Sequence, residues 1–203
     1  MKNKGFIGLG VMGFPMAGHI SKKYPTLVYN RTKLKADEWV ATFSGNSEGS
    51  LEELGSSCDE IFICVGNDDD VREVISGSKG ILNTMLPGGI IVDHTTTSSI
   101  LSEELNKLCL NKDINYIDAP VSGGQAGAEN GTLSIMAGGD EISFNKVAKT
   151  MECYSKFMKL MGSSGSGQLT KMVNQICIAG LVQGLAEGIN FSEKSGLDTK
   201  DVI

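Results

Sequence analysis

The feature that most constrains the fold of this chain is a regular alternation of short apolar runs with longer segments of helical period. The runs are rich in Ile, Val and Phe, and such alternation is typical of βαβ units in which helices cover a parallel sheet. We therefore expect an α/β domain of Rossmann type, with a doubly wound parallel sheet, over residues 1–161. The predicted strands are 4–8, 26–30, 61–65, 90–94, 114–118, 133–137 and 157–161, and the predicted helices lie near 12–23, 32–43, 51–56, 70–76, 98–110 and 141–153.

The sequence GSSGSG at 162–167 interrupts this alternation and is predicted to be a domain junction. After it, one long helix is expected from about Gln168 to Lys194, closed by Gly196 at a position where helices commonly end. Asp198, with Asp201 three residues later, resembles the start of another helix. Residues 162–203 are thus interpreted as an inter-domain helix and the beginning of an all-α C-terminal domain that is cut short.

Composition argues against several classes of function. A net charge of −6 leaves no basic stripe for nucleic acid. The N-terminus lacks the pattern of a signal peptide, and the longest apolar stretch, Ile176 to Ile189, is too short and too polar to span a bilayer. The five cysteines are scattered and the two histidines lie far apart, so reduced thiols and no metal site are expected. We expect a cytoplasmic protein without nucleic-acid or membrane partners.

Gly8, Gly10 and Gly13 form a Gly-x-Gly-x-x-Gly pattern between the first predicted strand and the first predicted helix. There the first glycine permits a tight turn, the second lets a pyrophosphate approach the backbone, and the third lets the helix pack on the sheet. Backbone N–H groups and the positive end of the helix then face the phosphates. The alternative is a turn whose glycines serve packing only. The predicted cofactor contacts here are Gly8, Leu9, Gly10, Val11, Met12 and Gly13.

The end of the second predicted strand indicates which dinucleotide binds. Asn30, Arg31 and Thr32 stand where NAD-preferring sites carry an acidic residue for the ribose. A guanidinium pairs well with a phosphate, so NADP(H) is expected in preference to NAD(H). The alternative is that Arg31 is a solvated residue at the start of a helix. Further cofactor contacts are expected from Val65, Gly66 and Asn67.

The segment FIGLGVMGFPMAGHI at 6–20 resembles the signature of the β-hydroxyacid dehydrogenase family, which includes 3-hydroxyisobutyrate dehydrogenase and tartronate semialdehyde reductase. Three later segments follow in the family's order, so the resemblance covers the whole chain. The first, VDHTTTSS at 92–99, is similar to the family's loop beside the nicotinamide and implies Thr96, with Thr95 at its side, as cofactor contacts. Without the family, the same residues form a hydroxyl-rich turn that could simply cap a helix.

The second segment, DAPVSGG at 118–124, is similar to the one with which the family binds the substrate carboxylate. The resemblance implies Ser122, Gly123 and Gly124 as substrate-binding residues. A serine hydroxyl and two sterically open glycine N–H groups suit an anion, although a purely structural Gly-Gly turn is the alternative.

The third segment, GSGQLTKMVNQ at 165–175, resembles the one that supplies the family's catalytic lysine and implies that role for Lys171. Lys171, Asn174 and Gln175 share one helix face, and either amide could bind the substrate. Glycines recur on the opposite side at 180, 184 and 188, which predicts a backbone packed there and a helix covered on both sides. Burial would lower the pKa of Lys171, whereas the alternative is an exposed lysine whose stem lies on the surface.

The resemblance implies an NAD(P)-dependent oxidoreductase that interconverts a short 3-hydroxy acid with its semialdehyde. The candidate acids are similar to 3-hydroxyisobutyrate, tartronate or 4-hydroxybutyrate. An imine reductase-like enzyme is an alternative, although those enzymes generally lack a lysine at position 171, and a non-catalytic NADP-binding module is another. In the family a C-terminal helical domain builds much of the dimer interface, so the resemblance implies a homodimer or homotetramer through that domain. The same domain closes the cleft, so we expect poor turnover by these 203 residues by themselves.

Overall fold

The computed structural model describes residues 3–202, which form one mixed sheet with helices on both faces. The strands are β1 (Asn3–Ile7), β2 (Thr26–Tyr29), β3 (Asn46–Ser47), β4 (Cys58–Ile63), β5 (Ile90–Asp93), β6 (Asn115–Asp118), β7 (Val121–Ser122), β8 (Leu133–Gly138) and β9 (Ser155–Gly162). The helices are α1 (Gly13–Ser21), α2 (Lys33–Thr42), α3 (Leu51–Ser57), α4 (Asp68–Ser76), α5 (Ser99–Leu110), α6 (Gly124–Glu129), α7 (Glu141–Met151), α8 (Ser166–Lys194) and α9 (Thr199–Val202), with a 3-10 turn at Ile81–Asn83.

The parallel part of the sheet has the strand order β3-β2-β1-β4-β5-β6. Phe6 of β1 stands in register with Val28 of β2 on one side and with Phe62 of β4 on the other. The chain therefore winds outward from β1 in both directions, as in a doubly wound Rossmann-type fold. The α/β fold that the alternation predicts is confirmed.

Successive residues of the central strands feed two separate hydrophobic cores. Phe6 and Phe62 belong to one core, whereas Ile7 and Ile63 belong to the other. Side chains alternate between the two faces of a strand, and helices cover both faces of a parallel sheet. The buried parts of these strands, at 6–7, 61–63 and 90–92, consequently read as short unbroken apolar runs, which is why the sequence indicates them so clearly.

The far edge of the sheet differs from the expectation of uniformly parallel strands. β8 runs antiparallel to β6 and β7, and β9 then runs parallel to β8. Only ten residues, 123–132, connect β7 to β8, and a parallel crossover needs about a dozen or more, so this short connection favours antiparallel pairing. The sequence pattern does not predict β3, β7 or α6, which are two to six residues long and too short to show a period.

The long helix α8 is buried only near its ends. Gly167, Gln168 and Lys171 are buried where the helix packs on the sheet and on α5. Gly180, Gly184 and Gly188, in contrast, have no heavy atom of the described residues near the position a Cβ would take. The prediction that these glycines pack against a backbone is therefore wrong for residues 3–202, because this part of the helix extends beyond the sheet.

By length and composition alone α8 is long and apolar enough to cross a membrane, so the expectation that its apolar stretch 176–189 is too short and too polar for a span is wrong by this measure, because the apolar window extends beyond that stretch. One such helix is weak evidence for a membrane span, because the core helix of a soluble protein passes the same test. The first turns of α8 pack on β6, β8 and β9 and therefore belong to the α/β domain.

Candidate active site

The carboxyl ends of the parallel strands lie side by side along one edge of the sheet. Tyr29, Ile7, Ile63, Asp93 and Asp118 stand in register across β2, β1, β4, β5 and β6. Each predicted cofactor or substrate segment begins within three residues of one of these positions, apart from the lysine helix. Open α/β sheets bind their ligands at this edge, so the fold brings the predicted segments together.

The three glycines of the first loop serve different purposes. Gly8 has φ +95°, and a side chain there would overlap the backbone carbonyl of Cys64. A side chain at Gly13 would overlap the carbonyl oxygen of Gly8, which lets α1 pack closely on the loop. Gly10 is exposed, and a Cβ there would meet no described heavy atom within 4 Å. Packing thus explains Gly8 and Gly13, while Gly10 leaves open space for a ligand.

The start of α1 suits a phosphate group. Within residues 3–202, its first turn carries no acidic residue, and Met12 at the N-cap makes no side-chain capping bond. The positive end of the helix therefore faces the loop without a competing carboxylate. Asn30 fixes the loop from β2, since its Oδ1 accepts a hydrogen bond of 2.9 Å from the backbone N–H of Leu9. Leu9 is buried, whereas Val11 is exposed. These residues fit a dinucleotide pyrophosphate.

Arg31 extends from the end of β2 into solvent, and its side chain is 87% exposed. Its Nη1 lies 3.1 Å from Oδ1 of Asp70 on α4, so the two side chains form an ion pair. Thr32 occupies the N-cap position of α2 without a side-chain capping bond. The guanidinium is thus available at the edge of the loop, but any phosphate there competes with Asp70.

The turn after β4 meets the loop after β5. The backbone N–H of Val65 donates to Oγ1 of Thr95 at 3.1 Å, and Thr95 itself is buried. Thr96 is exposed at this edge, as is Gly66. Asn67 caps α4 by accepting a hydrogen bond from the backbone of Asp70. The structure therefore gives Thr95 and Asn67 positions that shape the loops, and leaves Thr96 open to a ligand.

Two buried residues at the end of β5 support the loop that follows this strand. Asp93 accepts hydrogen bonds from the backbone of Thr95 at 2.9 Å and from the Tyr116 hydroxyl at 3.0 Å, and burial raises the pKa of this carboxyl to about 6. His94 contacts the Ala119 carbonyl and the Tyr154 hydroxyl, and burial lowers its pKa to about 4. Both ring nitrogens are engaged, so His94 is a structural residue with a neutral ring.

The segment 118–124 forms an open turn between β6 and α6. Gly123 and Gly124 have φ values of +135° and +60°, which favour glycine, and both are exposed. An added side chain at Gly124 would meet no described heavy atom within 4 Å. Ser122 is half-buried at the end of β7. The turn thus combines two exposed glycines with a serine hydroxyl, and such groups suit the binding of an anion.

Lys171 lies against this turn. Its side chain is 9% exposed, and its Nζ donates a hydrogen bond of 2.9 Å to the carbonyl oxygen of Val121. Burial lowers the pKa of the Lys171 ammonium from its ordinary value. Asn174 is half-buried, Gln175 is exposed, and the two amides contact each other at 3.2 Å, so both remain candidates for substrate binding.

Two residues of the site carry signals that sequence reasoning leaves unused. Asp118 begins the segment 118–124, and its carboxylate accepts hydrogen bonds from the backbone of Gly165 at 2.7 Å and of Gln168 at 3.0 Å. Burial raises the pKa of Asp118, although these hydrogen bonds oppose the shift. Gln168 is fully buried three residues before Lys171, and that spacing places both side chains on one helix face.

A sheet edge of this kind is where doubly wound domains hold nucleotides, and the class of protein that this fold and its glycine loop define is a dinucleotide-binding α/β protein. Among residues 3–202, no group of three or more His, Cys, Asp or Glu side chains is placed to hold a metal ion. The family model described as the NAD binding domain of 6-phosphogluconate dehydrogenase matches residues 3–173. The chain belongs to this family, among oxidoreductases that act on CH–OH groups.

The chain is similar to oxidoreductases both with and without an assigned reaction. The chain is 51% identical to an uncharacterized oxidoreductase of Shewanella frigidimarina, covering 100% of this chain and 70% of the relative. It is 37% identical to the 2-hydroxy-3-oxopropionate reductase of Escherichia coli, covering 96% of this chain and 66% of the relative. The chain thus spans about two thirds of the length of the relatives it matches.

Solved structures show the same architecture. The 3-hydroxyisobutyrate dehydrogenase of Mycobacterium tuberculosis, solved with L-serine, matches with a TM-score of 0.90 at 27% identity, over 98% of this chain and 67% of that one. A protein named Psf3, in complex with NADP+ and 2-OPP, matches with a TM-score of 0.88 at 26% identity, over 98% and 70%. An imine reductase from Pseudomonas is only 18% identical, so its TM-score of 0.84 shows a shared fold alone.

Proposed function

We propose that the protein interconverts a short 3-hydroxy acid and its semialdehyde, with NADP(H) as cofactor and Lys171 as general acid and base. The position of Lys171 carries this proposal. Its ammonium is buried and hydrogen-bonded to the carbonyl of Val121, the residue before Ser122. A proton donor therefore stands beside the turn that offers anion-binding groups, as a substrate with a carboxylate next to a reactive carbonyl requires.

The residues of the glycine loop would hold NADPH, whose chemistry when bound would be hydride transfer to the semialdehyde. Lys171 Nζ donates a proton to the carbonyl oxygen, so aldehyde, hydride and proton together give the alcohol. In the oxidative direction the neutral amine accepts the hydroxyl proton. A lowered pKa makes the ammonium a better acid near neutral pH, and the Val121 carbonyl keeps it oriented.

The turn 122–124 is proposed to bind the substrate carboxylate. The Ser122 hydroxyl and the N–H groups of Gly123 and Gly124 are the proposed donors, and both glycines are exposed and have positive φ angles. Asn174 or Gln175 then orients the substrate from the same helix face as Lys171. Each of these contacts holds the carbonyl near the lysine without taking part in bond making.

NADP(H) is proposed as the preferred cofactor because Arg31 offers an exposed guanidinium at the end of β2. Lys35, one helical turn later, lines a surface groove together with Gly10 and Val11, which adds a second cation on this side of the loop. A ribose 2′-phosphate would gain both charges, although it competes with Asp70 for Arg31.

A homodimer or homotetramer is proposed for the assembled protein. The support is the exposed apolar surface of α8, where Leu181, Val182 and Leu185 are 72%, 60% and 52% exposed. Single exposed apolar residues are common, but a continuous stripe on one helix favours association. Light scattering coupled to size exclusion measures the mass and tests this proposal.

The test of the proposed reaction is a substrate panel with both cofactors, run on a chain that carries the C-terminal helical domain, because these 203 residues by themselves are expected to turn over poorly. The panel contains methylmalonate, tartronate and succinic semialdehydes with glyoxylate, and a cyclic imine is the comparison substrate. Oxidation of NADPH is followed by absorbance. At least one aldehyde acid is expected to react with a kcat/KM that exceeds that of the imine, and NADPH is expected to exceed NADH. Preferred reduction of the imine would indicate an imine reductase, and dinucleotide binding without any turnover would indicate a binding module.

A further inference from the structure

A single side chain joins the loop after β5 to the helix that carries Lys171. Gln168 is fully buried, and its Nε2 donates a hydrogen bond of 2.7 Å to the carbonyl oxygen of Thr95. Its Oε1 accepts a hydrogen bond of 3.0 Å from the backbone N–H of Thr97. The amide thus pairs with the loop 95–97 at both of its ends, as a neighbouring strand would.

The backbone of Gln168 is held as firmly as its side chain. Its N–H donates to one carboxylate oxygen of Asp118, and the N–H of Gly165 donates to the other. A buried carboxylate at the start of a helix pairs with N–H groups that the helix itself cannot satisfy. The first turn of α8 is therefore attached to the end of β6, and Gln168 extends from that anchor to the loop after β5.

These hydrogen bonds, together with the turn of α8 from Gln168 to Lys171, form one path through the site. Val65 donates to Oγ1 of Thr95, Thr95 accepts from Gln168 through its carbonyl, and Lys171 donates to Val121 from the same face of α8. Breaking the path at Gln168 would leave a backbone carbonyl and a backbone N–H unpaired in a buried environment. Such groups are costly to leave unpaired, so the path has little freedom to adjust.

We infer that Gln168 is a positioning residue that fixes the separation between the loop 95–97 and the Lys171 ammonium. The inference rests on the proposed function, in which hydride and proton reach adjacent atoms of one carbonyl. The loop 95–97 borders the cofactor side of the site and Lys171 the proton side, so their separation determines whether both transfers share one geometry. A misplacement of about 1 Å can cost roughly a hundredfold in rate.

The decisive variant is Gln168→Met, which keeps the length of the side chain and removes both hydrogen bonds to the loop. The matched control is Gln183→Met, the same substitution at an exposed position of the same helix. Single-turnover oxidation of bound NADPH is measured with the best aldehyde of the panel, and rates are expressed per NADPH-binding site from a fluorescence titration. Counting only binding-competent molecules removes any loss that comes from unfolding.

Gln168→Met is expected to lower the single-turnover rate about 10-fold to 100-fold while the Kd for NADPH and the KM for the aldehyde change by less than about threefold. The control should match the wild type. A rate per site within about twofold of wild type would overturn the inference. A buried amide with a purely structural role predicts that outcome, because it lowers the fraction of folded protein and leaves the folded molecules active.

A second variant and a second measurement cover the remaining outcomes. Gln168→Glu keeps an acceptor for Thr97 and removes the donor to Thr95, so it should also slow the single turnover. If both variants fail to bind NADPH, Gln168 is needed for folding and the positioning role is refuted. If wild-type protein reduces no substrate of the panel, the proposed function fails instead. Hydrogen exchange then tests whether Gln168 holds the loop 95–97 against the first turns of α8. Exchange should then accelerate together in segments 95–97 and 165–171 of Gln168→Met, and unchanged exchange would refute it.

Discussion

Replacing Lys171 by methionine tests the proposed chemistry most directly. Methionine keeps most of the apolar stem that packs between α8 and the sheet, and it removes the ammonium that donates to the Val121 carbonyl at 2.9 Å. Lys171 is only 9% exposed, so water has little access to this position and cannot readily donate the proton instead of the ammonium. The substitution therefore separates the proton from the packing.

The expected size of the effect follows from the role of the lost group. General acid catalysis by one positioned side chain contributes a factor of about 10² to 10⁴. That factor corresponds to about 3–5 kcal/mol of transition-state stabilisation. Lys171→Met should therefore lower kcat by this factor, whereas the Kd for NADPH should stay nearly constant because the glycine loop and Arg31 lie on other elements.

The assay measures kcat for aldehyde reduction across pH together with NADPH binding by fluorescence titration. Because burial lowers the pKa of Lys171, wild-type kcat should fall with rising pH below the range of an ordinary lysine, and this alkaline limb should vanish in the variant. Lys194→Met, at an exposed position near the end of α8, is the matched control. If Lys171→Met retains more than about a tenth of wild-type kcat, Lys171 is a packing residue and the reasoning fails.

Three further predictions concern other parts of the site. Arg31→Asp should weaken NADPH binding by about 1.5–3 kcal/mol with little loss of NADH affinity. Asp70→Asn should strengthen NADPH binding, because it frees the Arg31 guanidinium from its ion pair. Calorimetric titration with both cofactors measures each effect, and unchanged NADPH affinity in both variants would refute the assignment of NADP(H). Gly13→Ala should lower the free energy of unfolding by about 1–3 kcal/mol because its Cβ overlaps the backbone of the loop, whereas Gly10→Ala should leave unfolding unchanged and weaken dinucleotide binding. The pKa of His94 is about 4 in the folded protein against 6.5 in the unfolded chain, so the unfolded chain binds the proton first and the free energy of unfolding falls as pH drops through this window. Between about pH 7 and about pH 5, the free energy of unfolding of His94→Gln should therefore rise by about 2 kcal/mol relative to that of wild type. Urea unfolding at both pH values measures this, and a difference between the two proteins that does not change with pH would contradict the shift.

The sequence alone determined the fold class and the elements that build the edge of the sheet. The buried parts of β1, β4 and β5 are covered on both faces, so they appear as short continuous apolar runs at 6–7, 61–63 and 90–92, and the glycines after β1 mark the turn that follows. The helical period also indicated the long helix, whereas the segments 92–99, 118–124 and 165–175 were indicated by their resemblance to the dehydrogenase family. These signals are local, because burial on both faces and backbone constraints leave a mark in the residues themselves.

Only the tertiary structure decided how these segments meet and which side chains connect them. Asp118 and Gln168 are fifty residues apart, and neither shows in sequence that a carboxylate anchors the first turn of α8 or that an amide joins it to the loop 95–97. The antiparallel end of the sheet and the uncovered glycines of α8 are likewise invisible to periodicity. Hydrogen bonds between distant segments depend on the relative placement of whole elements, and no local pattern of residue types encodes that placement.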